Sequence, residues 1–218
     1  MVEISTSLLS INEDESIKNI YDIEVAGTDY FHIDVMDGKF VKNNTIEKMR
    51  KYTEYIKQVS NTKIEVHLMV KDVIEFVKAY IDMEVDCIMF HLEACKSEEE
   101  VLKIISEIKE NNIKVGIAIN PNTNIDKIYS YIPYIHRILL MSVEPGEGGQ
   151  KFIDSSLEKI EELNKYIYEN GYDVDIEVDG GVNNETAKKI SDVGANILVA
   201  GSYIAKSSDY KKAIDSLK

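Results

Sequence analysis

Eight short apolar segments are each followed by a longer segment of helical period, and no other feature of the chain restricts its fold as much. The strand-like segments are Ile4–Leu9, Tyr30–Met36, Lys63–Met69, Asp86–His91, Lys114–Asn120, Arg137–Ser142, Asp175–Asp179 and Asn196–Ala200. Between and after them the helical pattern runs over Ser16–Ala26, Ile46–Val59, Val73–Asp82, Glu98–Glu110, Asn124–Tyr131, Ser155–Glu169, Glu185–Val193 and Tyr210–Leu217. Strands joined through helices run parallel. Eight units of roughly 27 residues each predict a closed (β/α)8 TIM barrel rather than an open sheet. No Pro/Gly/Ser-rich linker interrupts the 218 residues, so one domain is expected over 1–218. Local signals agree: Ser97 with Glu100 reads as a capping box, Asn184 as the cap of the helix starting near Glu185, and Gly27 and Gly194 as helix stops.

Side chains two apart on a strand share a face. One face collects Ile4, Leu8, Ile33, Val35, Val66, Leu68, Ile88, Phe90, Ile117, Ile119, Ile176 and Val178, which suit packing under helices. The other collects Ser5, Ser7, His32, Asp34, Glu65, His67, Met89, His91, Ala118, Asn120, Glu177 and Asp179. The barrel interior is therefore polar. Burying an unpaired carboxylate costs several kcal/mol, so cations or hydrogen-bond networks must accompany these acids. Glu65 and Glu177 lie deeper than the rest and read as structural, with no partner identified.

Catalytic groups in such barrels stand at the C-terminal strand ends. There the pattern places His32, Asp34, His67 and Asp179. Taken singly, His67 reads as a core histidine and Asp179 as a turn former before Gly180-Gly181. Four such residues at three strand ends favour a site for one divalent ion; mixed nitrogen and oxygen donors suit zinc, iron, manganese or cobalt. His91 is unpaired in the pattern and reads as supporting; His136 lies at the barrel bottom and is assigned no function.

Glycine-rich turns follow the last three strands: Gly146-Glu147-Gly148-Gly149, Gly180-Gly181 and Gly201-Ser202. Exposed N–H groups in such turns hold phosphate, which implies a phosphorylated small molecule. Metal, phosphate and two carboxylates together suggest proton transfer beside a carbonyl through an enediolate, one carboxylate taking the proton from carbon and the second returning one to the opposite face. Met36, Met69 and Met141 fall at inward strand ends and could wall the site from water. A net charge of −14 argues against nucleic acid. Two cysteines, Cys87 and Cys95, are too few for a disulfide scaffold. With no leader pattern or membrane-length apolar run, a cytoplasmic protein is expected.

The motifs Ser7-Leu8-Leu9-Ser10, His32 through Val41, Val66-His67-Leu68-Met69, Asn120-Pro121, Met141-Ser142-Val143, Pro145-Gly146, Gly148-Gly149-Gln150, Glu177 through Gly181 and Ala200-Gly201-Ser202 resemble the ribulose-phosphate 3-epimerase family. The resemblance implies a metal-dependent (β/α)8 enzyme that interconverts D-ribulose 5-phosphate and D-xylulose 5-phosphate. It makes His32, Asp34, His67 and Asp179 the metal ligands and Asp34 and Asp179 the acid/base pair. It also gives Ser7 and His67 substrate contacts, the three turns the phosphate, and the chain a homo-oligomeric state, dimer or hexamer. Departures are Lys42 for proline, Asn44 for an apolar residue, Glu144 for asparagine and Glu147 for phenylalanine. If the turn still binds phosphate, Glu147 should face solvent. Two alternatives accompany this reading: a hexulose phosphate such as allulose 6-phosphate as substrate, or a non-catalytic phosphate-binding barrel.

Overall fold

A computed structural model describes residues 2–218. Its eight strands close into one parallel barrel in sequence order: β1 Glu3–Ser7, β2 Tyr30–Met36, β3 Lys63–Met69, β4 Cys87–His91, β5 Lys114–Ile119, β6 Arg137–Met141, β7 Asp175–Asp179 and β8 Ile197–Ala200. The helical layer comprises α1 Ser16–Val25, α2 Ile46–Val59, α3 Val73–Ile81, α4 Glu98–Glu110, α5 Ser156–Asn170, α6 Ala187–Asp192, α7 Ser202–Ala205 and α8 Tyr210–Asp215. Among the described residues, no helix is long and apolar enough to cross a membrane.

Two faces of one sheet carry the architecture. The outward residues Ile33, Val35, Val66, Leu68, Ile88, Phe90, Ile117, Ile138, Val178 and Leu198 belong to one continuous core with the inner helix faces. Each such side chain, fully buried, contributes on the order of 1.5–3 kcal/mol. Inside the barrel, Cys87, Met89, Ala118, Leu139, Met141, Val143 and Val199 form a second, smaller apolar cluster. The same interior holds Met36, Met69 and Ile197 and the buried polar groups Ser5, His32, Asp34, Glu65, His67, His91, Arg137 and Glu177.

Between β5 and β6 the expected α-helix is a 3-10 helix over Ile125–Tyr134. Pro133 lies within it, and a proline there has no N–H and would clash with a carbonyl one α-turn back. The Ser97 hydroxyl accepts from the Glu100 N–H, as its cap pattern requires, but the Glu100 carboxylate accepts from Lys96 N–H rather than from Ser97. The cap expected from Asn184 is not made: α6 starts at Ala187 without a side-chain cap, and in the turn before it the Asn183 side-chain oxygen accepts from the Glu185 and Thr186 N–H groups. Asn183 sits two residues before the first of those donors, the reach of an Asx turn. The short helix α7 was too brief for periodicity to reveal.

Candidate active site

Register assembles the site before any side chain turns. In the β2–β3 ladder Asp34 stands beside His67, His32 beside Glu65 and Met36 beside Met69; in β6–β7 Met141 stands beside Asp179. Parallel neighbours lie about 4.8 Å apart, so these pairs are in contact by construction. His32 and His67 are fully buried, Asp34 nearly so, and the Asp179 side chain is 17% exposed.

Four donor atoms face one another. His32 Nε2 lies 3.4 Å from Asp34 Oδ1, 3.4 Å from His67 Nδ1 and 3.8 Å from Asp179 Oδ2. His67 Nδ1 lies 3.3 Å from Asp34 Oδ1 and 3.6 Å from Asp179 Oδ2. A tetrahedral ion with bonds of about 2.0–2.1 Å separates its ligand atoms by about 3.4 Å. The residues therefore fit a divalent cation in size and in donor chemistry, and all four atoms fall within 4.8 Å of one another. Without such a cation the same atoms share protons. Burial by itself lowers His32, but the Asp34 charge and bonds to Asp34, Glu177 and Glu65 hold it well above the ordinary imidazole value. Burial likewise opposes His67, and its bonds to Asp179 and Asp34 raise it. Asp34 resists burial's upward push and falls well below the ordinary carboxylate range because His32 and His67 adjoin it.

One layer deeper, Glu65 and Glu177 meet Arg137, which the strand pattern names only as the start of Arg137–Ser142 and gives no role. Its guanidinium donates to Glu65 and, at 3.1 Å, to Glu177, and its Cζ stacks 4.7 Å from the Tyr30 ring centroid. One cation serves two acids. Burial and the Glu65 charge push Glu177 up to about 7, against the pull of Arg137, whereas the Arg137 charge and the bond from His32 overcome burial and depress Glu65. Two signals pointed to Arg137: it shares the inward face of β6 with Leu139 and Met141, and two buried acids require a cation. His32 joins the layers, with Nδ1 2.8 Å from Glu65 Oε1.

His91 also departs from expectation. It does have partners: its Nε2 lies 2.9 Å from His67 Nε2, its Nδ1 lies 3.2 Å from Glu93 Oε2, and the Phe40 ring packs 5.0 Å from it. The pairing was invisible because Glu93 lies just beyond β4 in a 3-10 turn, outside strand alternation. His136 lies at the bottom and accepts the Val115 N–H.

Above the cage, one cleft is lined by Ser7, Asp34, Met36, Met69, Met141, Asp179 and the turn residues Gly146, Glu147, Gly148, Gly149, Gly180, Gly181, Gly201 and Ser202. The Ser7 hydroxyl donates to Asp34 Oδ2 at 2.6 Å. Gly180 and Gly181 have φ of +122° and +67°, and a Cβ on Gly181 would come within 2.3 Å of the Phe152 nitrogen. Only glycine fits there. Gln150 Nε2 donates to the Glu144 and Glu147 carbonyls, and Asn43 Nδ2 donates to the Gly146 carbonyl, tying the β6 turn to itself and to the β2 loop. Glu147 is exposed, and its carbonyl is what Gln150 holds.

A parallel (β/α)8 barrel with a polar cage and a glycine-lined cleft at its C-terminal mouth defines a barrel enzyme whose chemistry is done at that mouth. The ribulose-phosphate 3 epimerase family model matches residues 3–205, and with relatives this similar over full length, the chain belongs to the ribulose-phosphate 3-epimerase family and is an epimerase. The ribulose-phosphate 3-epimerase of Bacillus subtilis is 40% identical over 219 residues, covering 100% of this chain and 99% of its own. That of Methanocaldococcus jannaschii is 41% identical over 218 residues, covering 100% and 90%. Among solved structures, 3-hexulose-6-phosphate synthase from Salmonella typhimurium has a TM-score of 0.71 at 14% identity, over 99% of this chain and 96% of its own. At that identity the likeness is one of fold.

Proposed function

We propose that the chain inverts C3 of a ketose phosphate, converting D-ribulose 5-phosphate to D-xylulose 5-phosphate by loss of the C3 proton to one carboxyl group and gain of another from a second. The observation that carries this reading is that Asp34 on β2 and Asp179 on β7 reach one cleft from strands three steps apart around the barrel. A planar carbon held between them loses a proton from one face and gains one on the other, which inverts it. A divalent cation bound by His32, Asp34, His67 and Asp179 supplies stabilisation of negative charge on the substrate's carbonyl and neighbouring hydroxyl oxygens. Asp34 directs Oδ1 into the cage, while the Ser7 hydroxyl orients Oδ2. Asp179, the more exposed of the pair, lines the cleft from β7. Met36, Met69 and Met141, all buried at the cleft floor, exclude water from the enediolate. Backbone N–H groups of the Gly146–Gly149, Gly180-Gly181 and Gly201-Ser202 turns take the phosphate, with Glu147 contributing backbone alone. A cytoplasmic homo-oligomer completes the proposal, with light scattering to count its subunits.

The test is turnover of D-ribulose 5-phosphate and allulose 6-phosphate by one preparation, before and after chelation. Cation-dependent formation of xylulose 5-phosphate is expected. Turnover of the hexulose alone would keep the mechanism and reassign the substrate, and turnover of neither would leave a binding barrel.

A further inference from the structure

We propose that Glu93 and His91 are positioning residues whose hydrogen-bond relay fixes the tautomer of His67 and so aims its Nδ1 lone pair into the cage. This rests on the cation reading above. A neutral imidazole has one donor and one acceptor nitrogen. For His67 to offer Nδ1 as a ligand, its proton must sit on Nε2, and that N–H needs an acceptor because the ring is fully buried. The atom facing it, at 2.9 Å, is Nε2 of a second buried imidazole, His91. His91 can accept there only with its own proton on Nδ1. That nitrogen faces Glu93 Oε2 at 3.2 Å, and an ionised carboxylate only accepts. The direction of every bond in the row is thereby set from its far end.

The far end is itself fixed. Glu93 Oε1 accepts from the Asn120 N–H at 2.8 Å and from the Thr123 hydroxyl, both on the loop after β5. His32 needs no such row, since its Nδ1 reaches Glu65 directly. The two imidazoles of the cage thus present different nitrogens, Nε2 from His32 and Nδ1 from His67, and are held by different devices.

An isosteric change reverses the relay. In Glu93→Gln the Asn120 N–H, a donor that cannot turn, claims the single amide oxygen and leaves the NH2 facing His91 Nδ1. His91 must then accept at Nδ1 and carry its proton on Nε2, against the Nε2–H of His67. His91→Phe removes the acceptor altogether while keeping a flat ring beside Phe40.

The test measures the affinity of metal-free protein for zinc, manganese and cobalt ions by chelator competition, with nitrogen-15 spectra of the histidines in the zinc-loaded state. Wild type should bind with the His67 proton on Nε2. Both variants should bind about 10- to 100-fold more weakly, with the thermal midpoint of the metal-free protein unchanged in Glu93→Gln. Wild-type affinity in both variants would overturn the relay alone, and a His67 proton on Nδ1 in the loaded wild type would overturn the relay together with His67 Nδ1 as a ligand. A wild type that bound none of the three ions would overturn the cation reading and the relay together.

Discussion

Two acidic layers stand one above the other inside this barrel, and they are neutralised in opposite ways. The lower, Glu65 and Glu177, has its cation built into the chain as Arg137, fully enclosed and stacked on Tyr30. The upper, Asp34 and Asp179, has no lysine or arginine among its ion-pair partners in the described residues, only imidazoles. Both layers hang on His32, whose two nitrogens face one each. The contrast teaches how to separate a scaffold charge from a working one. Where the chain supplies the counter-charge, the acids are fixed. Where donors converge at ligand spacing, the proposed function takes the counter-charge from a bound cation and gives the acids the work of moving protons.

The comparison breaks most visibly in the upper layer. Asp34→Asn and Asp179→Asn should each lower kcat by about 10³-fold or more, in steady-state assays of protein whose far-ultraviolet spectrum is unchanged. Next comes the lower layer, where Arg137→Met leaves two buried acids without their arginine and with His32 alone facing both. Urea denaturation should show a loss of about 3–5 kcal/mol, and adding Glu65→Gln with Glu177→Gln should restore most of it. If Arg137→Met cost nothing, the lower layer would not be a structural ion cluster.

A third prediction sets the layers against each other by pH. His32 and His67 hold protons above the ordinary imidazole value in the metal-free chain. Their contribution to stability is fully present below about 6.5 and is lost as pH rises through their folded values. Cation binding displaces those protons, so affinity should climb over the same rise. Metal-free stability and cation affinity should therefore run in opposite directions with pH, followed by denaturation and by titration with zinc. Parallel trends would show that the imidazoles are not the ligands.

The smallest effect concerns the cleft rim. Glu147→Phe should leave KM within about twofold, because the wild-type carboxylate is exposed. A carboxylate about 4 Å from a phosphate would instead cost on the order of 4 kcal/mol at an effective dielectric near 20, and its removal would lower KM sharply.

What was legible in the sequence followed periodicity. Strand alternation put Ile33 and Val35 outside and His32 and Asp34 inside, and the count of βα units closed the barrel. Residues just past strand ends obey no period, so Glu93 and the Asn183 turn escaped. Arg137 escaped for another reason: it was read only as the first residue of a strand, and its partners lie 72 and 40 residues away, so only the closed sheet brings them together. The His67–His91 contact likewise depends on side-chain direction across β3 and β4, which register constrains and sequence spacing does not.

The most direct measurement is deuterium incorporation at C3 of D-ribulose 5-phosphate in D2O, followed by NMR with cation-restored protein. The account predicts exchange accompanied by xylulose 5-phosphate, abolished in Asp34→Asn and in Asp179→Asn. Absence of exchange in folded, cation-loaded protein, or exchange that survives both substitutions, would contradict proton transfer by this pair of carboxylates.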